Sequence, residues 1–204
     1  MNQFTQPVKL IGKHVHLEPL NDDHIPGLVT ATNDGEIWKL WYTSAPPVPD
    51  HMTEYVKFAL NKQEIGEQLP FGVRKINADG SLGDIVGSTR LYDIDAKNRR
   101  VRIGYTWYSK HVQHTAVNTE CKLLLLQHCF EALNCIAVEF CTHFMNHKSR
   151  EAILRLGAKQ DGILRNHMIV NGVYRDTVVF SIIESEWPTV KMHLQEKLDQ
   201  SYEQ

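Results

Sequence analysis

The 204-residue chain contains no apolar run approaching the roughly 20 residues that cross a bilayer, and Met1 to Gln6 carries neither the basic region nor the apolar core of a secretory signal. Basic charge is not in excess: 22 Lys and Arg stand against 24 Asp and Glu, a net charge of -2, which argues against a polybasic nucleic-acid binder. There is no G-x-G-x-x-G and no G-x-x-x-x-G-K-[ST], so no motif indicates dinucleotide or P-loop nucleotide binding. The four cysteines, Cys121, Cys129, Cys135 and Cys141, include no C-x-x-C pair, and their apolar flanks read as buried free thiols of a reducing compartment. A cytoplasmic protein is expected, with no membrane, nucleic-acid or metal partner.

What is present suits a packed fold. An apolar content of 42% over this length fits one domain spanning 1–204, and no linker or repeat interrupts it. Lys9 to Leu20 alternates like a half-covered strand. Asn21 or Asp22 can cap a helix carrying Ile25, Leu28 and Val29. A second amphipathic helix runs from Asp50, its expected cap, to about Lys62. Leu69 to Ile76, Ile85 to Tyr92 and Val101 to Tyr108 read as strands joined by turn formers, hence an antiparallel meander. Thr119 to Leu133 presents two adjacent apolar stripes, the pattern of a helix lying on a sheet. Cys135 to Thr142 then reads as a central strand, and Asn146 to Leu156 as a helix stopped by Gly157. Asn171-Gly172 between Ile163–Val170 and Val173–Ile183 signals a hairpin. A helix from Pro188 to Asp199 closes the order.

Chemistry concentrates at the junction from Ser109 to Thr119, which leads a strand into the N-terminus of the long helix. Unpaired N–H groups and the positive dipole end there suit an anion, phosphate above all. His143 and His147 are four apart but bracket a strand end and a helix start, and no cysteine or carboxylate completes a metal spacing. His143 is instead a candidate base acting through water.

The order of elements and the run from Ile103 to Ala158 resemble the Gcn5-related N-acetyltransferases, in particular the branch that acetylates ribosomal-protein N-termini. The family's Q/R-x-x-G-x-G/A motif falls on Gln113, His114, Thr115, Ala116, Val117 and Asn118, followed by Thr119-Glu120. Ala116 takes the place of the central glycine and Asn118 that of the last small residue. Asn146, Ser149 and the Arg155-Leu156-Gly157-Ala158 ending resemble the family's second cofactor segment. Ile153 stands where relatives often carry a tyrosine acid, and Arg102 where they often carry a glutamate base.

The resemblance implies an α/β (α+β) fold: a mostly antiparallel sheet of about seven strands, helices on both faces, and a V-shaped splay between the fourth and fifth strands. It implies acetyl-CoA as cosubstrate, held by residues 113–119, by Trp107, Tyr108 and Ser109, and by Asn146 and Ser149, with the Tyr108 backbone positioning the thioester. It implies an acceptor entering between the final hairpin and the first two helices. Trp38, Trp41 and Tyr42 would form one wall, His167, Tyr174 and Arg175 the other, with Tyr92 and Tyr105 between. The acceptor is a primary amine, either a peptide N-terminus or a small amine. An antibiotic- or polyamine-acetylating enzyme and a degenerate coenzyme A- or peptide-binding sensor remain the alternatives. The chain is expected to act as a monomer or homodimer.

Overall fold

The computed structural model describes residues 3–43 and 47–200. Pro46, part of the proline-rich segment, lies outside the described residues. The described strands form one eight-stranded sheet in the order β1-β2-β3-β4-β5-β6-β8-β7. The segment expected as one strand divides at Gly12, whose N–H reaches Val15 O at 2.9 Å, into β1 (Leu10–Ile11) and β2 (Val15–Pro19). That division raises the strand number from the expected seven.

β3 (Leu69–Ile76), β4 (Leu82–Asp95) and β5 (Arg100–Tyr108) make the antiparallel meander that the turn residues foretell. β6 (Ala137–His143) lies parallel to β5, and β8 (Val173–Ile183) and β7 (Lys159–Val170) complete the sheet antiparallel to their neighbours.

Helices cover both faces because each strand alternates two sets of apolar side chains. α1 (Ile25–Asn33) and α2 (Met52–Glu64) bury Leu28, Ala31, Met52, Val56 and Ala59 against Ile85 and Trp107. On the opposite face, α3 (Ala116–Gln127), α4 (His147–Arg155) and α5 (Trp187–Gln200) enclose the larger core, which includes Val101, Ile103, Leu125, Val138, Phe140 and Phe180. Cys121, Cys129 and Cys135 are buried there, and all four cysteines are free thiols.

Capping explains the helix limits. Asn21 accepts from Asp23 N at 3.0 Å and starts the 3-10 turn that leads into α1. Asp50 does not cap α2: it lies within a 3-10 turn, Pro49–His51, that runs directly into the helix. α3 starts three residues before the apolar pattern does, because Thr115 accepts from Val117 N at 3.3 Å and serves as its cap. No helix of the described residues is long and apolar enough to cross a membrane.

Candidate active site

β5 and β6 share only a short ladder, Arg100 to Arg102 beside Ala137 to Glu139, after which both strands continue unpaired with one another. The sheet therefore opens into a V between them, which are the fourth and fifth strands when β1 is not counted. A bulge accompanies the opening. Ser88 pairs with Trp107 and Arg90 with Gly104, so Thr89 alone faces Tyr105 and Thr106, and Tyr105 takes a left-handed φ of 50°.

Beyond the bulge, Ser109 N donates to Val86 O of β4 at 2.8 Å. Strand alternation then turns the Tyr108 N–H the other way, into the V. The Tyr108 carbonyl is taken by Gln113 Nε2 at 3.0 Å, which ties the strand end to the following loop. The Tyr108 ring is buried in the larger core, where desolvation and the nearby Cys121 thiol push its hydroxyl pKa well up. Only its backbone is free for chemistry. Trp107 points to the other face and donates from Nε1 to Tyr55 Oη at 3.2 Å.

The loop after β5 delivers the chain to the α3 N-terminus. The left-handed residue here is His114, with φ 63°, and not Ala116, which is the first residue of the helix. A glycine is therefore not required at 116, and the family motif's departure at that position carries no backbone penalty. Thr115 Oγ1 donates to Val112 O at 2.7 Å while accepting from Val117 N. By helix geometry the remaining N–H groups of the first turn, those of Ala116 and Asn118 among them, have no carbonyl in front of them. His111 and Ser109 stand apart from this row: His111 binds the Asp34 carboxylate through both its N–H and Nδ1 at 2.8 Å, and Ser109 is buried. Asn146 caps α4 by accepting from Ser149 N at 3.1 Å, which leaves its amide nitrogen unused.

The face of the sheet away from α3 is the expected acceptor side. Tyr92 and Tyr105 meet edge to face at 5.1 Å, and the Trp41 ring stands 5.4 Å from His143, so the α1–α2 connection touches the end of β6. Tyr42 packs on Trp41, while Trp38 is half-buried with Lys39 over its ring. His167 contacts Thr177 Oγ1 at 3.1 Å. Tyr174 is not brought to this wall: it alternates with Arg175 and shares the face of Val178 and Phe180, exposed beyond the core.

His143 accepts from Met145 N at Nδ1, 3.0 Å, so its neutral ring carries the proton on Nε2 and presents a donor there. Burial, assisted by Arg175, lowers its pKa. Arg102 meets Asp93 at 2.5 Å and Glu139 at 2.8 Å, and Arg100 also pairs with Glu139. Burial alone would raise the Glu139 carboxyl, but the two guanidiniums outweigh it and hold the acid below its ordinary range. Glu139 is thus kept ionised and is a weak proton acceptor.

Two inward charges were invisible as site residues in the sequence. Glu139 is the lone acid in an apolar strand, and Lys122 the lone base on the buried side of α3. Lys122 is buried, reaches Thr106 Oγ1 at 2.7 Å and Thr89 Oγ1 at 3.5 Å, and joins the two threonines that meet at the bulge. Desolvation brings its pKa down to about 8. Isolated charges at inward register positions are the signal that could have marked both. Among the described residues no group of three His, Cys, Asp or Glu side chains could hold a metal ion.

A mixed sheet whose one parallel pair parts beside a helix N-terminus defines the class. Over residues 14–159 the chain matches the family described as Acetyltransferase (GNAT) domain, and it belongs to that family. A GCN5-related N-acetyltransferase from Brucella melitensis has the same architecture, with a TM-score of 0.82 and 30% identity over 95% of this chain and 86% of that one. The Bacillus subtilis (strain 168) protein named "Putative ribosomal N-acetyltransferase YdaF" is 32% identical over 105 residues, 52% of this chain and 57% of that protein. The matched stretch thus spans little more than half the length of that relative. Mycobacterium smegmatis RimJ, solved in complex with CoA-disulfide, shares the fold at a TM-score of 0.74 and 18% identity, covering 94% of this chain and 93% of that one.

Proposed function

We propose that this protein transfers an acetyl group from acetyl-CoA to a primary amine, most simply the N-terminus of a peptide or a small amine. The observation that carries this is the V between β5 and β6, with the Tyr108 N–H turned into it and the open N–H groups of the α3 N-terminus at its mouth. The left-handed turn at His114 and the unclaimed first-turn amides fit a diphosphate, which a helix N-terminus binds through N–H groups and dipole. Residues 113–119 would hold it, and Asn146 and Ser149 at the α4 N-terminus would bind the rest of the cofactor. Bound acetyl-CoA supplies an activated acyl group.

The protein's own contribution is alignment and charge placement. The Tyr108 N–H is a fixed backbone donor in the V, suited to a developing negative charge on an acyl oxygen. Gln113 holds that peptide unit in place by binding its carbonyl. Lys122 holds the bulge from below through Thr106 and Thr89. Trp41, Tyr42, Tyr92 and Tyr105 offer an aromatic wall on the opposite side, where an amine can approach. Ile153 is buried in the position where a tyrosine acid would stand, and Arg102 is engaged by two carboxylates, so neither moves a proton. Because coenzyme A is a fairly acidic thiol, a dedicated acid is not essential to its departure.

Free-thiol release from acetyl-CoA, followed across a panel of amines and short peptides, tests the proposal. Saturable release that depends on an amine is expected. Tight retention of acetyl-CoA with no amine-dependent thiol would favour a coenzyme A-binding sensor and overturn the enzyme reading.

A further inference from the structure

The acceptor side carries a cation that the fold leaves unused. β6 and β8 pair in register from Ala137 opposite Ile183 to His143 opposite Thr177. Val138, Phe140, Val178 and Phe180 of these strands lie in the core beneath α3 and α5. The alternating set, Glu139, Cys141 and His143 on β6 and Thr177 and Arg175 on β8, therefore shares the opposite face.

Asp93, Arg100, Arg102 and Glu139 form a closed network. Asp176, the acid next to Arg175 in sequence, accepts from Arg165 Nε at 2.5 Å and from Asn166 N at 2.8 Å, so its carboxylate is already held by two donors while its charge also reaches His143. Arg175 makes no ion pair among the described residues, and its Nε is buried with no acceptor. Its charge acts on both Cys141 and His143, its neighbours on the face.

His143 adds a second donor. Its Nδ1 is committed to the Met145 N–H, so Nε2 carries the hydrogen in the neutral ring. The Trp41 ring packs against it and fixes its orientation. An orphaned guanidinium N–H and an imidazole N–H beside an aromatic wall complement an anion, and a planar carboxylate above all, since it can take two donors at once.

We infer that the amine acceptor carries a carboxylate, bound by Arg175 with His143 beside it. This deepens the acetyl-transfer reading and rests on it for the role of the site. The same cation disfavours a polyamine, whose second ammonium would meet Arg175 with like charge. The carboxylate can come from an acidic side chain near a peptide N-terminus or from the α-carboxyl of a free amino acid.

The test is calorimetric titration of the full chain, in the presence of coenzyme A, with four probes: alanyl-aspartyl-alanine amide, its asparagine counterpart, free aspartate, and spermidine. The aspartyl peptide or free aspartate is expected to bind about 10-fold or more tighter than the asparagine peptide, as one charge-assisted hydrogen bond predicts. Tight binding of the aspartyl peptide marks the side-chain carboxylate, and tight binding of free aspartate alone marks the α-carboxyl. Arg175→Gln should reduce that ratio to near one, and Arg175→Lys should restore part of it, with thermal melts checking that each variant is folded. Equal binding of the two peptides with free aspartate no tighter than either, preference for spermidine, no binding of any probe, or a ratio unchanged by Arg175→Gln each overturns the inference. Arg175-dependent binding of the carboxylate without thiol release leaves the inference standing and removes the acetyl-transfer reading instead.

Discussion

A lysine with no carboxylate partner costs a protein stability whenever it is charged and dry. Lys122 is such a group, bound only to threonine hydroxyls. Its folded pKa of about 8 lies below the ordinary 10.5, so between those values the unfolded chain binds more protons than the folded one. Stability from this group therefore rises as pH climbs from about 8 to about 10.5, and below that window the cost is full and constant. Replacing Lys122 by Met should flatten the rise, shifting the stability difference between the two proteins by up to about 3 kcal/mol across the window. Urea melts at successive pH values check this, and parallel slopes would rule it out. The loop before α3 offers a second prediction. His114→Gly should leave stability within about 0.5 kcal/mol or raise it, since φ 63° is strained for histidine, whereas Ala116→Gly should cost about 0.5–1 kcal/mol. The sequence marks residues 113–118 as a candidate loop, but which one turns left-handed depends on where Thr115 caps the helix, and that is a three-dimensional matter.

At the level of elements, α3 does more than cover the sheet. Glu120 projects from its second turn and accepts from the backbone N–H groups of Lys13, His14 and Val15, at 2.8, 2.6 and 2.9 Å. This clamps the β1–β2 turn onto the helix that bears the proposed cofactor site. Gly12 makes the approach possible, because a Cβ there would overlap the Glu120 carboxyl. Glu120→Ala should lower stability by about 2–4 kcal/mol, since it strands three donors, and amide exchange should quicken at Lys13 to Val15. A loss below about 0.5 kcal/mol would show that the clamp is dispensable. Glu120 reads in the sequence only as the companion of Thr119, because its partners lie more than a hundred residues away. Local signals fared better: the Asn171-Gly172 turn lies between β7 and β8, where Gly172 has φ 78°, and Gly157 with φ 95° follows α4. The Arg102–Glu139 pair was hidden for the same reason as the Glu120 clamp. Charges on strands distant in sequence meet only through the β5–β6 ladder.

Taken whole, the molecule is a sheet with two different faces that meet at the V. The face under α3, α4 and α5 leads to the α3 and α4 N-termini, where an anionic cofactor is proposed, and the other leads past Trp41, Tyr92 and Arg175, where the amine is proposed. The order of elements along the chain and the long helix lying on the sheet were legible because apolar periodicity and turn chemistry report burial directly. Site roles were less so, since backbone donors leave no side-chain signature. The most direct test of the account is calorimetric titration of the protein with coenzyme A. Saturable one-site binding, with a Kd on the order of 10 μM and a matching rise in thermal stability, is the predicted result. No heat and no stabilisation at ligand concentrations of about 1 mM would contradict it.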